Sequence, residues 1–557
     1  MSGTTAAAPA PGPAADDESI DNFDDLVSIE SEQVDATAAA ERWVRKLTGA
    51  PLTNNALSWI VGIVITVLGG LLRFINLGTP HEVVFDETYY AKDAFSLLVW
   101  GYEHNTLEKA NDLLLKGITQ IWAPGPSFVV HPPLGKWIIA VGEAYVGMTP
   151  TGWRVAVAAV GTLMILLVAR IGRRLTRSTL VGSLAALFVA IDGLAITMSR
   201  TALLDGILAF FITAGFGALL IDRDRARTRL AYKVAFNPES INGWGPTLGF
   251  RRWRFIAGLM FGCALATKWS AIYYIAVFGL VLITFDFLAR RAVGSAHPFR
   301  NMLVRDLPPA FVCFFIVPVS VYVISWSGWF ATSGGWDRNL YPATGATGLA
   351  ATALVGAFQS LLSYHNQMWE FHIHLTTHHN YQANPWGWPL MWRPTVFSYH
   401  GDAVGCAKGV TDCRSEVTAL GNPLIWWFGA MALVHQAWRV ISARDWRAAV
   451  VVGGFLAGWV PWLFFPHRTT FTFYAIAWFS FTALALAMSM TQLLGNPSWS
   501  KRRRQVGAGV VTLGLVAIVF VSFWYYPVWS GMPLSYDEWR YRILDLWGHR
   551  IYFSNWI

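Results

Sequence analysis

Runs of about twenty consecutive, mostly apolar residues recur along this chain, at 57–76, 153–172, 179–198, 202–221, 254–267, 271–289, 307–327, 422–441, 448–465, 470–491 and 505–526. About 20 such residues, coiled as a helix, cross the hydrocarbon core of a bilayer. Inside lipid every peptide group must find its partner within the protein, and a single helix does this for itself. The pattern predicts an all-α polytopic membrane protein with about eleven transmembrane helices. Charge agrees: only 14% of the 557 residues are charged and 54% are hydrophobic, whereas soluble domains carry about a quarter charged. The 29 Trp, 18 Tyr and 35 Phe suit membrane interfaces, where amphipathic rings gather.

The formal charge of +8 is not a nucleic-acid footprint, because the basic residues cluster between the apolar runs. Arg173, Arg174 and Arg177 follow the second run, and a basic loop from Arg223 to Arg254 follows the fourth. Arg290, Arg291, Arg300 and Arg305 follow the sixth, Arg439, Arg444 and Arg447 the eighth, and Lys501 to Arg504 precede the last. Eleven crossings with a cytoplasmic N-terminus put every cluster on the cytoplasmic side. The C-terminal tail, 527–557, then lies outside. Residues 1–50, rich in Ala, Pro, Asp and Glu, read as a disordered cytoplasmic tail with no cleavable signal peptide. The segment 51–526 is the transmembrane catalytic body. Residues 134–148 are short for a crossing and carry Glu143; they read as a helix along the outer interface or dipping in and out of it, the alternative being a twelfth crossing that would invert everything after it.

Two outer loops are long, 77–152 and 328–421, and function is expected there. Cys406 and Cys413 lie in the second, where a disulfide is plausible; Cys263 and Cys313 lie in apolar runs. The first loop carries Asp86-Glu87 close to the membrane surface. Partial desolvation raises the basicity of a carboxylate, as a general base requires; an acidic helix start would look the same. His131 and Lys136 flank a rigid Pro-Pro turn and could meet a phosphate or a sugar. Asp205, an ionisable residue at an outer span end, is a candidate substrate-binding group; the alternative is a structural pairing with Arg200. Arg73, Arg154, Arg200, Lys268 and Arg468 all end near the outer interface, against the usual bias. A shared anionic ligand such as a lipid phosphate would explain them together. His372, His379 and Trp386 belong to a Trp-, Tyr-, Asn- and His-rich stretch suited to a carbohydrate or peptide. Its histidines lack convincing metal-ligand spacing, and no nucleotide-binding fingerprint appears.

At these residues the chain resembles the actinobacterial protein O-mannosyltransferases, lipid-dependent glycosyltransferases of the GT-C class. The resemblance rests on Phe85-Asp86-Glu87-Thr88-Tyr89-Tyr90, His131-Pro-Pro-Leu-Gly-Lys136, Trp153-Arg154, Arg200 to Asp205, and Thr267-Lys268-Trp269-Ser270. It continues through Asn384-Pro-Trp-Gly-Trp-Pro389, Gly421-Asn422-Pro423 with Trp426-Trp427, Arg468 with Phe471, Phe473 and Tyr474, and Trp529 to Ser535. It implies a GT-C fold with interfacial helices in the outer loops. It also implies a polyprenyl monophosphate mannose donor and, as acceptor, a Ser or Thr hydroxyl of a secretory polypeptide leaving the Sec translocon. Asp86 would be the base of an inverting transfer at the outer face of the plasma membrane, with Glu87 assisting. Arg154, Lys268 and Arg468 would lead the stabilisation of the departing phosphate. No cofactor or metal is required, since a lipid monophosphate leaves with fewer charges than a nucleotide diphosphate; stimulation by a divalent cation is left open. The second outer loop is too short for the β-trefoil of eukaryotic relatives. The alternatives are a GT-C transferase for another sugar or a lipoglycan acceptor, and a secondary transporter, which would place charges at span centres in pseudo-symmetric halves.

Overall fold

A computed structural model describes residues 23–50, 52, 56–341, 350–406, 408 and 410–544. Among them, eight helices are long and apolar enough to cross a membrane, or nine if the bent pair Thr179–Ile191 and Gly193–Arg200 is one span. The two other expected spans also form helices, Arg252–Leu265 and Pro423–Ala443, but are not among those eight or nine. Arg252–Leu265 is only 14 residues long. The count of eleven crossings is therefore not established, although every expected apolar run is helical.

Burial sorts these helices. Helix Ile476–Leu494 is buried on all sides as far as Met490, which is why it is apolar around its whole circumference rather than along one stripe. Lys501–Ser530 lies at the edge and exposes Leu513, Phe520 and Phe523, the signature of a face turned to lipid. Where two helices need close approach, glycine supplies it. A Cβ on Gly258 would fall 1.8 Å from the carbonyl oxygen of Cys313, and one on Gly262 would fall 2.9 Å from Pro318 Cα. The opposing segment, Val312–Ile316, is a π-helical turn. Pro318 cannot donate to the carbonyl one turn back and its ring crowds that group, so the preceding turn widens.

The bend in the third expected span is 58° and centres on Asp192. Its Oδ2 accepts from Ala195 N at 3.0 Å and so caps the second half-helix. Its Oδ1 accepts from Asn422 N at 2.8 Å and Trp426 Nε1 at 2.9 Å. One buried carboxylate thus ties the start of helix Pro423–Ala443 to the bend. At the opposite ends of the helices, Arg251 bridges Asp222 and Asp286, Arg254 pairs with Asp286, and Arg290 with Asp306.

The two long loops expected on the outer side, 77–152 and 328–421, are largely folded where described. The first holds helices Glu87–Trp100, Ala110–Leu115 and Leu134–Val146, with a two-stranded antiparallel ribbon of His104–Thr106 and Trp122–Pro126. Leu134–Val146 is the short helix expected along the interface. The second outer loop contributes helix Ala350–His374 and a hairpin of Thr395–His400 and Cys413–Ala419, extended by Leu534–Ser535. Cys406 and Cys413 form a disulfide across the hairpin end. The all-α expectation misses these small sheets because short strands with alternating polar residues resemble loops in sequence.

Two boundaries also change. Phe23–Thr48 is a helix, where a structureless tail was expected over 1–50; residues 1–22 lie outside the described residues. Its Ala- and Glu-rich sequence favours a helix, and its end buries Leu47 against Leu230, Val234 and Val293. At the other terminus the last long helix runs to Ser530. After it, Ser535 and Glu538 form a capping box that starts helix Tyr536–Ile543; the rest of the expected tail, 545–557, lies outside the described residues.

The glycine packing is testable by heat. Gly258→Val forces the paired helices apart, and overpacking of this kind costs about 1–3 kcal/mol. Gly509, on a lipid-side helix, has nothing within 4 Å of a built Cβ. We expect Gly258→Val to lower the unfolding temperature in detergent and Gly509→Ala to leave it equal or higher.

Candidate active site

The site grows from a tight turn over Val84, Phe85, Asp86 and Glu87. The Glu87 amide donates to Val84 O at 2.9 Å, and Glu87 Oε2 accepts from Val84 N at 2.9 Å, closing the turn twice. Asp86 is the residue immediately before helix Glu87–Trp100, yet its carboxylate does not cap that helix. The two neighbouring acids therefore have different fates.

Glu87 is fully buried and saturated. Its Oε1 accepts from Arg154 Nε and its Oε2 from Arg154 Nη2, both at 2.8 Å. Oε1 also accepts from Ala202 N at 2.9 Å. The fork of Arg154 spends its other donors on the carbonyls of Leu77, Pro80 and Glu82. The helix that delivers Arg154 starts at Pro150, where Thr149 accepts from Gly152 N, a common N-terminal cap. Glu87 and Arg154 thus lock the first outer loop onto two spans, and neither has capacity left for a ligand.

Asp86 is half-buried. Burial pushes its pKa up from 3.8 to about 7; the Lys268 ammonium opposes this and Asp205 adds to it. Lys268 donates to both oxygens of Asp205, at 2.8 and 3.0 Å, and lies 4.4 Å from the centroid of the Tyr474 ring. Burial works against its charge, and Asp205 outweighs burial, holding the ammonium above the usual lysine value. The partner of Asp205 is therefore Lys268 rather than Arg200.

Beside Lys268 opens a cavity of about 360 Å³, with His131, Trp269, Tyr322, His365, His372 and Arg468 among its lining residues. Its polar groups are fixed. Trp269 Nε1 donates to Tyr322 Oη at 2.9 Å, and Tyr322 Oη meets His365 Nε2 at 2.6 Å. His372 Nε2 lies 2.8 Å from Val130 O; if that nitrogen donates, Nδ1 is an acceptor facing Arg468 Nη2 at 3.4 Å. Arg468 also donates through Nε to His372 O and through Nη1 to Thr469 O. Its fork is thus steadied from one side, with donor capacity remaining for an anion in the cavity. His131 stacks on His372 at 5.3 Å. Burial, and next Lys268, holds His131 well below the ordinary histidine value, while burial takes His372 down to about 4. Both rings are neutral near pH 7.

The structure divides the expected phosphate ligands. Arg73 is buried with donors on Gly69 O, Val189 O, Ala190 O and Ser199 Oγ. Arg200 caps the end of helix Ala56–Phe74 through the carbonyls of Leu72, Arg73, Ile75 and Asn76. Arg154 is committed to Glu87, and Lys136 to Glu103, with Asp93 at 3.6 Å. These four hold the scaffold, because a buried cation must be fully paired. Of the expected set, Lys268 and Arg468 line the cavity. His379 lies by the turn, 6.0 Å from the Phe85 ring. Trp386 instead points away, 67% exposed, against Trp459; its neighbour Trp388 is the buried one. Tyr322 and Trp462 line the cavity without any sequence signal, since an aromatic residue within an apolar run looks like core.

Residues 63–324 match the family model described as dolichyl-phosphate-mannose-protein mannosyltransferase, and residues 357–547 match that of the C-terminal four TMM region of protein-O-mannosyltransferase. The chain is 37% identical over 500 residues to a polyprenol-phosphate-mannose–protein mannosyltransferase of Mycolicibacterium smegmatis (strain MKD8), covering 88% of this chain and 93% of that one. The Corynebacterium glutamicum protein of the same name is 33% identical over 484 residues, covering 83% and 88%. Among solved structures, the Saccharomyces cerevisiae protein O-mannosyltransferase Pmt1-Pmt2 complex bound to the sugar donor superposes with a TM-score of 0.68 at 14% identity, covering 92% of this chain and 94% of that chain. That likeness establishes a shared fold, the GT-C architecture.

The locked pair makes its own prediction. Removing one member of a buried ion pair strands the other and costs about 3–5 kcal/mol. Glu87→Ala and Arg154→Ala should each lower the unfolding temperature strongly, and the double variant should lose much less than the sum. Additive losses in a thermal melt would show that the two side chains act separately.

Proposed function

The chain belongs to the dolichyl-phosphate-mannose-protein mannosyltransferase family, and on that premise we propose that Asp86 is the base of its transfer reaction. The enzyme moves mannose from a polyprenyl monophosphate mannose to a Ser or Thr hydroxyl of a protein. In this reading the lipid phosphate of the donor lies against Lys268 and Arg468, and the first part of the polyprenyl chain enters the aromatic cavity. The acceptor hydroxyl approaches from the exposed side of Asp86, where Tyr89 is 63% exposed. Asp86 takes the hydroxyl proton as the oxygen attacks the anomeric carbon. The bond from that carbon to the phosphate oxygen breaks, with inversion, and the phosphate leaves carrying the electron pair. Lys268 and Arg468 stabilise the charge that develops on it.

A single observation carries this assignment. Asp86 is the acid beside Lys268 whose carboxylate accepts no hydrogen bond among the described residues, while Glu87 is saturated. A base must have a lone pair to offer. Asp205 is spent on Lys268 and keeps that ammonium charged.

The same reading puts the transfer on the outer face of the plasma membrane, with the N-terminus cytoplasmic, the C-terminus extracytoplasmic and a polypeptide leaving the Sec translocon as acceptor. The support is the charge map along the sequence. It is tested in cells with a background lacking native cysteines: Thr88→Cys should react with an impermeant thiol reagent and Arg227→Cys should not. Labelling at 227 alone would reverse the orientation.

The base assignment is tested with labelled polyprenyl-phosphate mannose and a Ser/Thr-rich secretory peptide. Asp86→Asn should lower transfer by about 10²–10⁴-fold. Transfer by the natural enzyme should rise with pH and reach half its maximum near pH 7, because the base works only when ionised. The stability sign runs the other way. A carboxyl raised from 3.8 to about 7 on folding favours the folded state most below pH 4, and that contribution is lost as pH climbs through 7. Asp86→Asn should therefore melt at or above the natural protein at pH 8. Full transfer by Asp86→Asn, or an acid limb centred near pH 4, would remove Asp86 from the base role. Label appearing in a lipoglycan and not in peptide would change the acceptor class.

A further inference from the structure

The backbone just before the base is strained. Phe85 has φ +48°, a left-handed conformation in which the β-carbon of an L-residue crowds its own carbonyl. Asp86 follows with φ −69° and ψ −6°. The two are the central residues of the turn that Glu87 N closes onto Val84 O, and a positive φ at such a position is ordinarily supplied by glycine. A bulky aromatic residue there is an outlier, and such outliers persist only where the surroundings over-determine them.

The surroundings do so through the ring. Phe85 stacks on Phe397 with centroids 4.7 Å apart and planes 15° apart. Phe471 and Phe473 meet it edge-on at 5.8 and 5.6 Å, and His379 does so at 6.0 Å. Stacked and edge-to-face geometries are the favourable ones for aromatic pairs. The four partners come from two separate segments. Phe397 and His379 belong to the second outer loop; Phe471 and Phe473 follow Arg468 in the turn that borders the cavity. Phe397 and Phe473 are themselves buried, so the clamp is anchored in the core and is not a surface cluster.

On the other side of Asp86, Glu87 is fixed by Arg154 and by the amides of Val84 and Ala202. Asp86 therefore sits between a residue held by charge and a residue held by its ring. Its own carboxylate has no hydrogen bond to hold it among the described residues. The direction it faces is set by the turn alone.

We propose that Phe85 is a positioning residue for the transfer: its clamped ring holds the left-handed backbone that aims the Asp86 carboxylate at the acceptor hydroxyl. This rests on Asp86 being the base. Without the clamp, any residue bearing a β-carbon relaxes out of the left-handed region, and the turn presents Asp86 for a smaller fraction of the time. Glycine needs no clamp, because it occupies that region without penalty.

The order of variants separates this from simple packing. The full-length enzyme, purified in detergent, is assayed for steady-state transfer with labelled donor and peptide. Phe85→Ala should lose roughly tenfold or more in kcat, while KM for donor and peptide stays within about threefold. Phe85→Gly, the smaller residue, should be roughly tenfold faster than Phe85→Ala. Phe397→Ala should reduce kcat in the natural background and have no further effect on Phe85→Gly. If the ring only fills space, glycine does no better than alanine, and that result overturns the proposal. So does an unimpaired Phe85→Ala. Should Phe85→Ala not accumulate, Phe85→Leu takes its place, with the same expected order below Phe85→Gly. Asp86→Asn, measured alongside, isolates the premise: if it stays active the base assignment fails, and if it is inactive while Phe85→Ala is unimpaired only the positioning role fails.

Discussion

The bidentate pair of Glu87 and Arg154 is the constraint on which the loop-bearing half of the molecule depends. Both groups are fully buried, and burying one such charge alone would be costly. Together they accept or donate to backbone groups of Leu77, Pro80, Glu82, Val84 and Ala202. Those groups belong to the first outer loop and to the start of the helix carrying Asp205. One ion pair therefore fixes the distance between a strap of irregular chain and two membrane helices. Irregular backbone buried in protein needs its polar groups satisfied, and here an arginine fork and a carboxylate do so.

With that anchor in place, the neighbouring groups sort by what they have left to offer. Arg73, Arg154 and Arg200 have their donors spent on protein, closing helix ends and loop carbonyls, and Lys136 is paired with Glu103. Lys268 and Arg468 line the cavity, each steadied by protein on one side. The same division separates the adjacent acids: Glu87 is saturated and Asp86 is not. Chemistry is left to groups whose valence the fold does not consume.

How much of this is legible in the sequence depends on the range of the interaction. The apolar runs are local, and every one of them is a helix. The Asp86-Glu87 pair, the five outer cations and the two long outer loops are also visible in the chain. Which cations are spent cannot be read from the chain, because their acceptors are mostly backbone carbonyls, which every residue has. Arg200 looked like the partner of Asp205 by proximity in sequence; Lys268, 63 residues away, is the one that reaches it. The strands of the second long loop are not legible in the chain because their partners are each other and Leu534–Ser535, not a periodic core. Nothing in the sequence marks Phe85 as left-handed, since that conformation is imposed by rings from 397, 471 and 473.

The double contact of Lys268 with Asp205 has a consequence for how tightly a substrate is held. An ammonium already neutralised by a carboxylate attracts a singly charged phosphate diester only weakly. On the proposed reaction, bond cleavage converts that diester into a more highly charged monoester while Asp86 gains a proton and loses its charge. The electrostatic pull on the lysine then swings toward the phosphate as the transition state is approached. A cation shared in this way discriminates in favour of the transition state over the ground state, so little of its attraction is spent on holding the unreacted donor.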